Sequence, residues 1–209
     1  RRLVVQSYTG WNNPHVGGPV TSEADGFDPD PVREQRETLA AIVAMERLVL
    51  DAPLEGVVLR YANLYGRGAI DDIVAALRRR MLPIIGSGAG VWSWLHVEDA
   101  ASATVAALEA GAPGAYNVAD DDPAPVAEWL PALAAAAGAP RPMRIPTWLG
   151  RLLAGEAAVR WMTAGRGSSN AKAKEAFGWR PTWPTWREGF RAVAGSEAGL
   201  RTSRADARA

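Results

Sequence analysis

The sequence predicts an α/β protein built on a parallel sheet, and two stretches and the segment between them predict it. Gly56–Gly68, GVVLRYANLYGRG, reads as a buried strand from Val57 to Tyr61 that runs into a loop beginning at Ala62-Asn63 and turning on Gly66 and Gly68. A short apolar run with β-branched residues, ended by a polar residue and glycines, is the pattern of a central parallel strand covered on both faces. Leu3–Gln6 reads as a second short buried strand, and a helical segment lies between the two. Strand, loop, helix, strand is the rhythm of a right-handed crossover in a parallel sheet. In open α/β sheets ligands bind in the crevice beyond the carboxyl ends of the strands. That rule places Ser7-Tyr8-Thr9-Gly10-Trp11, after the first strand, and Tyr61, Ala62, Asn63 and Tyr65, at the end of the second, beside such a crevice.

The elements follow in order. Residues 12 to 31 are rich in Asn, Pro, Gly and Asp, and a loop of that length inside a compact domain is functional or mobile. Pro31, Glu34 and Glu37 mark a helix start, and Leu39, Ile42, Val43, Met45 and Val49 give that helix an apolar stripe to about Leu50. Asp51-Ala52-Pro53 ends it. Asp71-Asp72 opens a helix carrying Ile73, Val74 and Leu77, with Arg78-Arg79-Arg80 at its solvated end, where cations favour the dipole. Leu82–Ile85 is a short strand, and Gly86-Ser87-Gly88-Ala89-Gly90 is expected to be a flexible turn into Val91–Val97. The alanine-rich segment from Asp99 to Glu109 can pack closely on a sheet as a helix. Ala115–Val118 is a further strand, closed by Ala119 and the triplet Asp120-Asp121-Asp122. Beyond it the composition shifts toward Trp, Pro, Ala and Arg, with helices expected at Pro123–Ala137, Pro146–Leu153, Gly155–Met162, Ala171–Phe177 and Trp186–Val193. Six of the nine tryptophans fall from Trp129 onward, enough aromatic area to cement a small helical lobe.

Composition narrows the function classes. The chain has 209 residues, 48% of them hydrophobic, and a formal net charge of zero, which describes an ordinary soluble globular chain of one or two domains with no nucleic-acid or anionic-membrane footprint. It has no cysteine, which excludes disulfides and thiolate metal sites and fits a cytoplasmic setting. With only His15 and His96, a histidine-rich metal site is not expected, so the metal set is none. No run approaches the length of a membrane span and no signal-peptide pattern opens the chain. The first residues, Arg1-Arg2-Leu3-Val4-Val5, enter a strand at once, as in a chain begun inside a domain.

Four local patterns occur in a telling order: GVVLRYANLYGRG, GSGAGVWSWLHVEDAA, GAYNVADDDP and SNAKAKEAFGWRP. In content and order they resemble the NAD-dependent epimerase/dehydratase group of extended short-chain dehydrogenases, over about residues 3 to 193. The resemblance implies an incomplete Rossmann-like parallel sheet, residues 1–61 and 92–118, with a smaller, mostly helical substrate lobe formed by 62–91 and 119–194. Residues 195–209, small, polar and charged, are expected to be a frayed tail. It implies NAD or NADP as cofactor of a full-length parent. It also implies hydride exchange at a carbinol or carbonyl carbon of a sugar-like or small-molecule substrate, and a possible homodimer.

Two departures from the family pattern shape these expectations. Dinucleotide binding needs a glycine-rich turn between a strand and a helix, and this sequence contains none. At about 30 residues per βαβ unit, the family's opening strands amount to something on the order of a hundred residues. The chain is therefore expected to be the back part of a longer protein that binds the dinucleotide poorly by itself, with a bare sheet edge that invites association. The second departure concerns the proton-transfer pair. Aligning Glu46 with the family's helix-closing glutamate puts Thr38 where the tyrosine should stand and Ile42 where the lysine should. A threonine hydroxyl cannot replace a lysine-assisted phenol as a base near neutral pH.

Within that frame Ser7 stands at the family's Ser/Thr position, as the catalytic residue that orients the substrate oxygen. Tyr61, Ala62 and Asn63 correspond to the segment beside the nicotinamide. Tyr8 and Tyr61 are candidate replacements for the lost phenol, although neither has a neighbouring lysine in sequence. Trp92 stands where nucleotide-sugar enzymes of the family carry a diphosphate-binding arginine, and an indole can stack but cannot make the bidentate anion contact. Tyr8, Trp92 and Arg166 are the expected substrate contacts, with Arg166 on a flexible loop as the group that meets an anion. Arg60 is expected to be a structural ion-pair partner, and Lys172 and Lys174 to be solvated helix charges. His96 is expected to set the turn into a helix capped by Asp99. A catalytically silent NAD(P)-binding or sensor protein, or an interaction module built on the Trp-rich lobe, are the alternatives.

Overall fold

A computed structural model describes residues 1–193; the tail expected over 195–209 lies outside the described residues. β1 (Arg2–Tyr8) opens the chain, and the long loop after it contains the short β2 (Val20–Thr21) before α1 (Arg36–Leu50). β3 (Glu55–Tyr61) leads through a one-residue break into β4 (Asn63–Tyr65), and α2 (Asp71–Arg78) follows. β5 (Ile84–Ile85), β6 (Val91–Trp92) and β7 (Trp94–His96) precede α3 (Val97–Glu109) and β8 (Gly114–Val118). The last third comprises β9 (Ala124–Pro125), α4 (Val126–Ala136), β10 (Arg144–Ile145), α5 (Thr147–Ala164), β11 (Gly167–Ser168), α6 (Ala171–Phe177) and a helical stretch over 186–193.

The expected parallel sheet is present. β3 pairs in parallel with β1 on one side and β8 on the other, in the order β1-β3-β8. The register aligns Ser7 with Arg60 and Asn117, and Tyr8 with Tyr61 and Val118. Side chains alternate across a pleated strand, so this register sorts the sheet into two faces. Val4, Val57, Leu59, Tyr61, Tyr116 and Val118 lie on one face and pack with alanines of α3, whose small side chains let the helix sit close. Gly56, Val58 and Arg60 lie on the other face, toward α1. The approach there is tight: a Cβ on Gly56 would stand 2.1 Å from the carbonyl oxygen of Val49. Beyond the main sheet, β4 continues the line of β3 and pairs in parallel with β7.

A second apolar core lies under the helices that follow. Tyr65, Trp92, Trp94, Trp129, Trp186 and Phe190 are buried in it, and Trp161 and Trp183 pack against it. The expected aromatic cement is thus in place, although Trp148 is 65% exposed and takes no part. The two halves exchange residues. Trp92 and Trp94, from the stretch grouped with the sheet, pack in this second core, while Ala173, Phe177 and Trp179, from the lobe, pack on the sheet. The two helices expected at Pro146–Leu153 and Gly155–Met162 are both present within the span α5 and meet at Gly155, which leaves the helical conformation at φ 83°. Among the described residues no helix is long and apolar enough to cross a membrane.

Candidate active-site cavity

The strand ends position the site. Just past β3 the chain turns at Ala62, and Asn63 enters β4 with its side chain at the rim of a cavity of about 330 Å³. Trp92, Trp94, Trp129 and Trp161 form its aromatic wall, and Ile73 of α2 and Leu82 after that helix also line it. Trp92 and Trp161 are stacked, with ring centroids 3.7 Å apart and planes 15° from parallel. The Trp92 indole N–H donates to the carbonyl oxygen of Trp161 at 3.2 Å, which fixes the stack. Trp129 lies 4.7 Å from Trp92 and meets Trp94 edge-on at 4.8 Å, the offset and edge geometries that aromatic quadrupoles favour. No side chain lining this cavity is charged.

The polar rim is Asn63 and its neighbours. Its Nδ2 donates to the Ser93 carbonyl at 3.0 Å, and its Oδ1 accepts from the Tyr8 hydroxyl at 2.9 Å. Burial pushes the Tyr8 phenol above its usual range, so it stays protonated and serves as a hydrogen-bond donor. Behind this pair lies a buried network: the Thr9 hydroxyl is 2.6 Å from that of Ser168, and Asn13 Nδ2 reaches Thr9 and Thr21. Ser93 Oγ accepts from the Ser168 N–H at 2.9 Å and so ties the network to the cavity wall.

Several expected site residues stand elsewhere. Ser7 and Asn63 do not open into a shared cleft. The Ser7 hydroxyl is buried on the α1 face and donates to Glu46 Oε1 at 2.6 Å, and Glu46 in turn takes Arg60 in a buried ion pair with Nη2 to Oε2 at 2.7 Å. Arg60 is thus the structural partner expected of it, and it also lies 4.6 Å over the Phe27 ring. Tyr61 turns into the sheet core, where its hydroxyl meets the Ala100 carbonyl at 3.0 Å and the Thr104 hydroxyl. Its carbonyl accepts from the Thr9 N–H, and the Ala62 N–H donates to Val118, so the backbone groups of both residues extend the sheet. Of the three residues expected beside the nicotinamide, only Asn63 lines the cavity.

Arg166 is not a free arginine on a flexible loop. It is 7% exposed, donates to the carbonyls of Pro14, Gly18 and Val20, and pairs with Asp25 at 3.1 Å. The long loop is pinned by it, and Thr21 and Ser168 close the pinning through the β2–β11 pair. His96, not Asp99, caps α3: its Nδ1 accepts from the Glu98 N–H, while the Asp99 carboxylate takes the N–H groups of Thr182 and Trp183. Lys174 pairs with Asp121, and Lys172 donates to the Ala115 carbonyl and lies over the Tyr116 ring, so neither is a merely solvated charge.

The glycine cluster Gly86–Gly90 is likewise pinned. The N–H groups of Gly86, Gly88 and Gly90 donate to Ile145, Ile85 and Met162, and that of Ala89 to the Ser87 hydroxyl. A Cβ on Gly90 would stand 2.3 Å from the Trp161 carbonyl oxygen, and one on Gly88 2.6 Å from the Ile84 side chain. These glycines let α4 and α5 close on the turn, and their donors are already occupied. A phosphate cradle needs several free backbone N–H groups converging at a helix N-terminus, and the glycine N–H groups of this cluster are all engaged. The Gly86–Gly90 turn therefore does not fit the phosphate half of a dinucleotide.

The sequence reading missed the cavity's aromatic wall. Trp92 alone was assigned to substrate; Trp94, Trp129 and Trp161 come from three elements far apart in sequence, and only the tryptophan enrichment hinted at them.

Known proteins bear on this geometry. Residues 21–119 match the model of the NAD dependent epimerase/dehydratase family. A 3-diazoavenalumate denitrifying reductase from a Streptomyces species is 44% identical over 195 residues, which cover 91% of this chain and 64% of that protein. A functionally unknown conserved protein from Silicibacter pomeroyi superposes with a TM-score of 0.74 at 25% identity, over 94% of this chain and 66% of its own. The human epimerase family protein SDR39U1, solved with NADPH, superposes with a TM-score of 0.70 at 20% identity, over 93% of this chain and 65% of its own. The chain thus spans just under two thirds of the length of these relatives. Its Rossmann-like α/β fold, its four motifs in order and these matches lead to one conclusion: residues 21–119 of the chain belong to the NAD-dependent epimerase/dehydratase family.

Proposed function

We propose that this chain forms the substrate side of an NAD(P)-dependent oxidoreductase that acts at a carbonyl or carbinol carbon, or at an equivalent hydride acceptor, of a small substrate. The observation that carries this reading is the apolar cavity at the carboxyl end of the parallel sheet, with Asn63, held by the Tyr8 hydroxyl, at its rim. A ligand pocket at that end of an α/β sheet, mostly apolar with a few convergent polar groups, is the usual form of such a site. The reductase name of the Streptomyces relative and the NADPH in the human neighbour support the cofactor and the reaction type. The one glycine-rich turn of the chain does not fit dinucleotide phosphates, so no hydride step is assigned to these residues; in this reading they bind, orient and keep water from the substrate.

Reduction suits these residues better than epimerisation. Thr38 and Ile42 replace the proton-transfer pair on α1, and Thr38 is exposed there. Tyr8 is held as a neutral phenol. Chemistry that repeatedly moves a proton at a substrate hydroxyl has no evident base here. That same observation favours the second reading, a silent NAD(P)-binding protein. Titrating the full-length protein with NADH and NADPH, and following nicotinamide absorbance with a panel of small aldehydes, ketones and sugars, separates the two. Turnover of any member supports the enzyme, binding without turnover supports the silent protein, and absence of both overturns the two together.

A further inference from the structure

The walls of the same cavity define what it accepts. We infer that it takes the flat, uncharged ring of an aromatic substrate rather than a nucleotide-diphosphate sugar, an inference that rests on the substrate-side reading above. Four indoles supply the wall, and the Trp92–Trp161 stack ends on Trp161, which is only half-buried. A planar ring laid against it gains stacking and loses little water of its own. A hexose presents hydroxyls in every direction, and the lining offers it one polar side chain, Asn63.

Charge decides against a diphosphate. Anions brought into an apolar wall lose their hydration and need a cation or several N–H donors in return. The arginines that could have supplied one are both engaged, Arg60 with Glu46 and Arg166 with Asp25 and three backbone carbonyls. The rim instead suits a single neutral oxygen on the ring or its side chain. Asn63 uses one of its two amide hydrogens on Ser93 and its amide oxygen on the Tyr8 hydroxyl, which leaves one amide hydrogen to donate to such an oxygen.

Calorimetric titration of the chain with 4-hydroxybenzaldehyde, 4-hydroxybenzoate, glucose and UDP-glucose, without nicotinamide, tests this. The neutral aldehyde is expected to bind at least about tenfold more tightly than the other three, since stacking and desolvation of this size are each worth about a factor of ten. Trp161→Ala should weaken the aldehyde about tenfold, Trp161→Phe should keep it within about threefold, and Trp148→Ala, at an exposed indole outside the cavity, should leave it unchanged. Equal or tighter binding of UDP-glucose, no detectable binding of the aldehyde, or an unaltered affinity in Trp161→Ala overturns the inference. The outcome separates from that of the functional proposal: aldehyde binding without nicotinamide turnover leaves the aromatic pocket standing and removes the enzyme, whereas turnover of sugar nucleotides keeps the enzyme and removes the aromatic pocket.

Discussion

Ser7 and Tyr8 are adjacent in sequence, and their hydroxyls serve opposite faces of the sheet. Ser7 bonds Glu46 under α1, while Tyr8 bonds Asn63 at the cavity rim. A strand's two-residue repeat makes that choice all-or-none, and a register different by one residue would exchange the two. The sequence marked both as residues at a strand's carboxyl end; which of them faces the ligand depends on the partner strand. The consequence is testable. Ser7→Ala removes one donor from a buried carboxylate that keeps its bidentate arginine, so it should cost about 1–2 kcal/mol of stability. Urea unfolding should register that loss, while the affinity of the cavity for an aromatic probe stays unchanged. A loss of affinity with stability intact would return Ser7 to the site.

At the scale of elements, the main helices were legible where an apolar stripe or a clear stop signal marks them. α1 ends at Leu50, before the Asp51-Ala52-Pro53 stop, and α6 covers the expected residues 171–177. What the sequence conceals is why particular glycines are there. The Gly86–Gly90 turn looks flexible by composition, yet its donors are tied and its Cβ positions are filled by neighbouring helices. Gly56 looks like an ordinary strand start, yet it is where the backbone of α1 meets the sheet. A methyl group there would stand 2.1 Å from the Val49 carbonyl oxygen, a backbone atom in the last turn of α1. Neither side can yield by a side-chain rotation, so Gly56→Ala should destabilise the protein by about 3 kcal/mol, at the upper end of overpacking costs. A thermal melt within about 2 °C of wild type, equivalent to at most about 1 kcal/mol, would show that the helix can lift away freely.

At the scale of the whole molecule, the two cores are joined just past β8, at Asp120, a carboxylate that is 2% exposed. Its N–H donates to the Trp94 carbonyl, and its two oxygens accept from the N–H groups of Asp122 and Trp186, so it links the sheet's end to the helical stretch over 186–193. The acidic triplet reads in sequence only as the close of a strand, because nothing local tells that its first member is covered by a tryptophan-rich lobe some sixty residues later. Burial pushes its acid up from 3.8 to about 8, against the opposing pull of its backbone N–H donors. The sign follows from linkage. Between these two values the folded chain holds a proton on Asp120 that the unfolded chain has released, so stability falls as pH rises through that window. The Asp120 contribution is fully present below the unfolded value and is lost as pH passes about 8. Urea midpoints measured at intervals from pH 5 to pH 8 should therefore decline more steeply for the wild type than for Asp120→Asn, whose amide has no proton to lose. Parallel pH dependences for the two proteins would mean that Asp120 keeps its charge in the fold, and that the junction between the cores is held by an ionised carboxylate with its N–H donors.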